Sequence, residues 1–329
     1  MKEIWEIYHK DIPVFIKELS NTKEMLRLQD VGMNCGCEYT DLRTFTTKHY
    51  YSRYEHSIGV ALIVWHFTRD MKQTIAGLLH DIATPVFAHA IDFLNKDYIH
   101  QQSTEDNTDK IIEESEEIMS ILNKYHIQLE DVKDYHIYPI ADNDSPKLSA
   151  DRLEYTLGNL YNYGYCTLQQ IKDYYDDLIV EYNEYQELEI QFQTKELAYS
   201  FIKNAFKTFE IYIADNDRFS MQCIADIVKY AVEHDILVKE DLYSVESQVI
   251  EKIEGNEDSL RLWNEYKNFK DIVVCKDKPN IGYYVNVDAK RRYIDPFVDG
   301  QRLSKQYIDI KEMINDLKNR DFNYWIGAK

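Results

Sequence analysis

The segment Gly77 to His89 reads GLLHDIATPVFAH, an apolar run that ends in His80-Asp81 and is followed across a proline by His89. Two further candidates lie far from it in sequence: His56 in RYEHSIGV and Asp151 in SADRLEY. Imidazole and carboxylate are the ligand types that hold first-row divalent ions, and two neutral histidines with two aspartates partly neutralise a dication while leaving room for water. His56 alone, in an apolar stretch, reads equally well as a hydrogen-bonded core histidine. His80 and Asp81 are adjacent at the predicted end of a helix, where both side chains can turn toward one point. His89 is a candidate proton carrier, because an imidazole titrates nearest to neutral pH.

Helices must position these residues. Only ten glycines and six prolines occur in 329 residues, and this scarcity favours long helices over a turn-rich β fold. Asp11 to Leu28 has a helical period, and the two glycines of Val31 to Cys37 break it. Ser52 to Arg69 is apolar on most faces and so predicts a central helix; Lys72 to His80 predicts a second, closed by a turn at Pro85. A short helix over 86–95 follows, then an acidic stretch, Ser103 to Asp106, that is a candidate lid, then apolar periodicity to residue 125. IADNDSP reads as a loop, with Ser149 as the N-cap of the helix that carries Asp151. Asp173 to Gln193, dense in tyrosine and acid, reads as a solvated helix face. From Asp271 the segments DIVVC, GYYVNVD and RRYIDPF predict a small antiparallel sheet, with a last helix near Ile308 to Asn319. The expected architecture is mainly α: a helical core over 1–255 holding the metal site, and a β-containing appendage over 256–329.

The charge balance is 38 basic against 58 acidic residues, a net −20. Such a surface repels polyanions, so duplex nucleic acid and anionic membranes are poor partners, while a local basic pocket for a small anion is compatible with it. Five scattered cysteines suit a reducing compartment, and Cys35-Gly-Cys37, with no second pair, falls short of a tetrahedral zinc site. No apolar run is long enough to span a bilayer and the N-terminus lacks the layout of a secretory signal, so the expectation is a cytoplasmic protein.

Arg53 to Val60 (RYEHSIGV), Gly77 to Asp81 (GLLHD) and Ala150 to Tyr155 (ADRLEY) together resemble the HD superfamily of metal-dependent phosphohydrolases, and within it the deoxynucleoside triphosphate triphosphohydrolases. The resemblance extends upstream to Arg27-Leu28 and Gly32, and downstream to AVEHDILVKEDL and KRRYIDPFV. It implies an HD-domain helical bundle and one divalent ion (Mn, Fe, Mg, Zn, Ni or Co) held by His56, His80, Asp81 and Asp151. It further implies phosphate contact by Arg53, substrate contact by Tyr155, and a second polar group beside the metal made of His89, Asp92 and His100. Arg152, Lys147 and the cations of Lys290 to Arg292 are expected to neutralise phosphate, and family analogy suggests a homo-oligomer. Arg53 as a salt-bridge residue and Tyr155 as a core aromatic are the structural alternatives.

Two departures stand out. The family turn H-D-x-G-H reads H-D-I-A-T here, with Ala83 and Thr84 in place of Gly and His, and Gln101 replaces the acid that usually follows His100. A hydroxyl is a poor general acid near neutral pH and a weak ligand, which favours one metal over two. Asp30 falls near a glutamine that some members use to read the base. The resulting expectation is hydrolysis of a deoxynucleoside triphosphate to deoxynucleoside and triphosphate, with His89 donating a proton to the leaving oxygen. The alternatives are a phosphodiesterase or monophosphatase on another nucleotide, and a non-catalytic, metal-bound nucleotide sensor.

Overall fold

The computed structural model describes residues 1–94, 96–99 and 107–328; His100 and the stretch Ser103 to Asp106 lie outside them. Helices α1 (Lys2–Tyr8), α2 (Val14–Ser20) and α3 (Lys23–Arg27) precede the central pair α4 (Arg53–Thr68) and α5 (Met71–Leu79). Ser52 and Glu55 close a capping box at the start of α4: Ser52 Oγ accepts from Glu55 N at 3.3 Å while Ser52 N donates to Glu55 Oε2 at 3.2 Å. Arg69 ends α4 in the left-handed region (φ 54°), and Asp70 then caps α5 by accepting from Lys72 N and Gln73 N. Every residue from His56 to Val64 is buried, so α4 is the axis of the body, packed by α1, α2, α5 and the later α9.

After α5 come α6 (Ala90–Leu94), α7 (Thr108–Glu114), α8 (Glu116–Lys124), α9 (Ala150–Asn162) and α10 (Leu168–Asp176). A hairpin of β1 (Leu178–Tyr182) and β2 (Leu188–Phe192) leads to α11 (Lys195–Ile211), α12 (Asp215–Glu233), α13 (Glu246–Glu254) and α14 (Glu257–Lys267). The tail holds β3 (Ile272–Cys275), β4 (Tyr284–Val285), β5 (Phe297–Val298), β6 (Gln301–Arg302), α15 (Leu303–Gln306), α16 (Ile308–Lys318) and β7 (Trp325–Ala328). The chain is thus mostly helical but not all-α. No described helix is long and apolar enough to cross a membrane.

Three expectations about the elements are corrected. Asp173 to Gln193 is not a solvated helix: α10 stops at Asp176, Asp177 accepts from Gln193 N and Thr194 N, and LIVEY and LEIQF pair antiparallel across a turn with Gln186 at φ 61°. Tyr174 and Tyr175 are core residues there. Asp11 to Leu28 is two helices, because the chain enters α2 through Pro13 and breaks again at Asn21-Thr22. The β segments of the tail do not form one antiparallel sheet. β3, β7 and β4 make one sheet, whereas β5 joins β2 in parallel in a second sheet of order β1-β2-β5-β6. Of RRYIDPF only Phe297 is in a strand, and the preceding residues are irregular.

The apolar core falls into two clusters. The first surrounds α4, α5, α9 and α11 and takes in Ala289, Ile294, Val298 and Leu303 from the tail. The second surrounds α12 and α14 and takes in Val285, Val287 and Ile326. A buried ion cluster ties the tail to the first. Arg302 donates to both oxygens of Glu189 (2.7 and 2.8 Å), to Glu184 and to the Asp295 carbonyl, while Glu189 also accepts from Leu148 N at 3.0 Å. Leu148 directly precedes the Ser149 cap of α9, so this cluster sets where α9 begins. Glu189 is fully buried, and removing its cation leaves an uncompensated charge. Arg302→Ala is expected to cost about 3–5 kcal/mol in denaturant unfolding; a loss below about 1 kcal/mol, the size of a surface pair, would show that the cluster does not anchor the tail.

Candidate metal centre

Three side chains from three helices converge. His56 sits in the first turn of α4, His80 just past the end of α5 and Asp151 in the first turn of α9. One ligand atom from each lies within 4.8 Å of the others; His56 Nε2 is 3.0 Å and His80 Nε2 3.8 Å from Asp151 Oδ1. Asp81 stands beside them with Oδ2 at 3.5 Å from His80 Nε2 and 3.9 Å from His56 Nε2. Its other oxygen is engaged: Oδ1 accepts from Thr84 Oγ1 at 2.8 Å, and Arg53 Nη1 lies 3.1 Å from both oxygens.

The outer nitrogens of both rings are tied to acceptors. His56 Nδ1 is 2.6 Å from Glu154 Oε2, and His80 Nδ1 is 2.7 Å from the Gly77 carbonyl. Acceptors at Nδ1 select the Nδ1–H tautomer and turn the Nε2 lone pairs inward, the arrangement found behind metal-ligating histidines. Glu154 is fully buried and also accepts from the Tyr51 hydroxyl. Room for it comes from Gly59, where a Cβ would stand 2.4 Å from Glu154 Oε1, and from Gly158, where a Cβ would stand 2.6 Å from the Tyr51 oxygen. Burial alone would lower the His56 imidazole, but Asp151 and Glu154 on either side outweigh it and raise it to about 10. Burial would raise Asp81 and Asp151; Arg53, His80 and His56 instead hold Asp81, and His56, His80 and Arg152 hold Asp151, well below the usual carboxylate range. A point that favours positive charge this strongly, ringed by nitrogen and oxygen donors, suits a dication, and these residues could hold one.

The cluster opens on a cavity of about 260 Å³ whose wall includes Arg53, His89, Arg152, Tyr155 and Lys290 to Arg292. Arg53 is buried in an ion pair with Asp81, while its Nη2 makes no hydrogen bond among the described residues and Arg53 lines the cavity. Arg152 faces the cavity while bound to Asp142 and the Lys147 carbonyl, and Tyr155 faces it with its ring near His56 and Tyr212. Lys147 does not reach the wall, because its ammonium pairs with Glu187 at 2.7 Å. His89 Nδ1 is 3.0 Å from Asp92 Oδ2, which lies behind it, fully buried. Burial, reinforced by Arg292 and Arg53 against the pull of Asp92, lowers His89 to about 4, so the ring is neutral in the free pocket. Thr84 is buried behind Asp81, with its carbonyl bound by Arg27, and points no group at the cavity. Asp30 is turned away and accepts from Ser247 N and Oγ. Cys35 is at the wall with burial holding its thiol up at about 12, and Cys37 is buried behind it.

Glu154, Tyr51, Gly59 and Gly158 were not singled out in the sequence. The available signal was an acid three residues after Asp151, on the same face of α9. Glu154→Gln is expected to weaken divalent-metal affinity about 10–100-fold in a chelator competition with the fold retained. Gly59→Ala should do the same by displacing the Glu154 carboxylate, and an unchanged affinity in both would show that Glu154 does not orient His56.

Residues 53–145 match the HD domain, a span that contains His56, His80 and Asp81 and stops just short of Asp151. The chain is 29% identical over 254 residues to the uncharacterized protein YdhJ of Bacillus subtilis (strain 168), covering 75% of this chain and 74% of that protein. It is 27% identical over 167 residues to the metal-dependent phosphohydrolase cns2 of Cordyceps militaris, covering 50% of this chain and 46% of that relative, less than half its length. The crystal structure of a hypothetical protein from Aquifex aeolicus shares the fold, with a TM-score of 0.63 at 16% identity over 96% of this chain and 93% of that one. Over residues 53–145 the chain thus resembles the HD domain, and its similarities support the HD superfamily of metal-dependent phosphohydrolases.

Proposed function

We propose that this protein hydrolyses a phosphate ester of a small nucleotide at a single divalent ion, with a deoxynucleoside triphosphate, cut to deoxynucleoside and triphosphate, as the leading substrate. The observation that carries the reading is the convergence of His56 Nε2, His80 Nε2 and Asp151 Oδ1 at the edge of a cavity with a cationic wall. His56, His80 and Asp151, with Asp81 beside them, would hold the ion. When bound, such an ion supplies a Lewis acid for the phosphoryl oxygen and an acidified water.

The chain's own groups do the rest. Arg53 and Arg292 put positive charge on the phosphate side, where in-line transfer needs developing charge offset. The same two cations help keep His89 neutral, so a bound phosphate that offsets them lets the ring take up a proton. Asp92 at Nδ1 orients it and leaves Nε2 to exchange a proton with the reacting oxygen. The Thr84 hydroxyl donates to Asp81 and takes no part in proton transfer, consistent with one metal rather than two.

A phosphodiesterase or monophosphatase reading is favoured by one observation. A cavity of about 260 Å³ is just below the roughly 300–1,000 Å³ range of small-molecule sites, and so suits a ligand smaller than a triphosphate. Protein purified without chelator and supplied with Mn, Mg, Fe or Co should release deoxynucleoside and tripolyphosphate from deoxynucleoside triphosphates; cleavage of a nucleotide phosphodiester or nucleoside monophosphate, with no tripolyphosphate from any triphosphate, would select the second reading. Asp151→Ala should lose bound metal and turnover together. His89→Gln should keep its metal while kcat falls about 10²–10⁴-fold. A metal-loaded protein that binds nucleotides and turns none over would instead be a sensor.

A further inference from the structure

Among the described residues the cavity wall contains four carboxylates, and three of them are satisfied within the protein. Asp81 is bound by Arg53 and Thr84, Asp142 by Arg152 and Ser149, and Asp151 by His56. Asp217, in the first turn of α12, makes no hydrogen bond or ion pair among the described residues. It is half-buried, with its open side on the cavity. Burial raises its carboxyl to about 7 against the pull of Arg292 and Arg218. A desolvated carboxyl without a partner is costly, and such groups in native proteins are ordinarily paired. A carboxylate at this place also repels phosphate, so it faces a different part of the ligand.

Its surroundings describe that part. Asn34 shares this end of the cavity: its Oδ1 accepts from Tyr163 Oη at 3.3 Å, and its Nδ2 donors make no hydrogen bond among the described residues. Tyr163 is within electrostatic reach of Asp217, and the acid, the amide and the phenol all line this cavity. Met221, one turn along α12 from Asp217, adds a polarizable face, and Phe45 adds an aromatic one. A lining that offers a carboxylate acceptor, an amide donor and apolar groups matches what the edge and faces of a planar heterocycle need.

We propose that Asp217, with Asn34 beside it, is the specificity-determining end of the pocket and accepts a hydrogen bond from the amino group of a nucleobase: adenine, guanine or cytosine rather than thymine. The inference rests on the nucleotide reading above, with the phosphate at the His56–His80–Asp151 end. It assigns base selection to α12, where Asp30 cannot serve because it is held by Ser247.

The test is equilibrium binding of dAMP, dGMP, dCMP and dTMP to the metal-loaded protein, followed by kcat and KM on the corresponding triphosphates. The wild type should favour at least one amino-bearing base over thymine. Asp217→Asn, which keeps the shape but replaces an acceptor by a donor, should weaken that preferred nucleotide about tenfold or more, as expected for a lost hydrogen bond to a charged group. It should leave metal content unchanged and weaken dTMP less than the preferred nucleotide. Equal weakening of all four nucleotides, no base preference in the wild type, or no binding of any nucleotide would overturn the proposal. Base-selective binding that depends on Asp217 without turnover would sustain it and count against the hydrolase reading; turnover without base selection would do the reverse.

Discussion

The hydrogen bond between the buried Glu154 carboxylate and His56 Nδ1 is the constraint around which the rest of the pocket is arranged. A carboxylate with no exposed surface demands partners, and here the demand is met by an imidazole and a phenol, His56 and Tyr51, brought from outside α9. That meeting fixes how α4 and α9 approach, and the two glycines that face the group make the approach close enough. Asp151 lies one turn earlier on α9, so the same helix face supplies both a ligand and the group that aims another ligand. His80 needs no such device, because the Gly77 carbonyl left over at the end of α5 is its acceptor.

Charge in the pocket is organised locally against the global balance. The protein is strongly acidic overall, yet Arg53, Arg152 and Lys290 to Arg292 are gathered on one wall. Arg53 and Arg152 are each paired with an aspartate, which holds the guanidinium in place and moderates its field at the same time. The outer surface discourages polyanions and the inner wall attracts a small one, which is a filter on size as much as on charge. The neutral state of His89 belongs partly to the same field, since Arg292 and Arg53 add to burial in holding the ring deprotonated.

The His56–His80–Asp151 cluster was legible only in combination: each residue alone reads as a core or helix-end group, and the three motifs together resemble one superfamily. α4, α5 and the start of α9 were legible through capping residues and apolar period. Glu154 shares the ADRLEY motif with Asp151 but is not legible there, since an acid three residues along a helix usually faces water and only tertiary packing buries it here. The β1–β2 hairpin was misread for a related reason: its tyrosines and acids look solvated in composition, and the period-two alternation of LIVEY and LEIQF outweighs composition once Asp177 stops α10. Lys147 was misplaced by proximity in sequence to the site; its side chain leaves toward Glu187, a partner 40 residues away. Asp217 carried no local signature at all, because what distinguishes it is the absence of a partner that sequence does not display.

Arg302 and its two glutamates fasten the tail beside the loop that begins α9, and the segment carrying Lys290 to Arg292 is thereby laid along the cavity. The ligand triad is complete by residue 151, but half of the cationic wall is drawn from about 140 residues later in the chain. During synthesis, which proceeds from the N-terminus at about 5–20 residues per second, the helices bearing His56, His80 and Asp151 therefore emerge several seconds or more before Lys290 to Arg292. A nascent chain in that interval has a cluster that could hold a metal ion but a cavity still missing the cations of the tail, so the pocket is complete only once the tail docks.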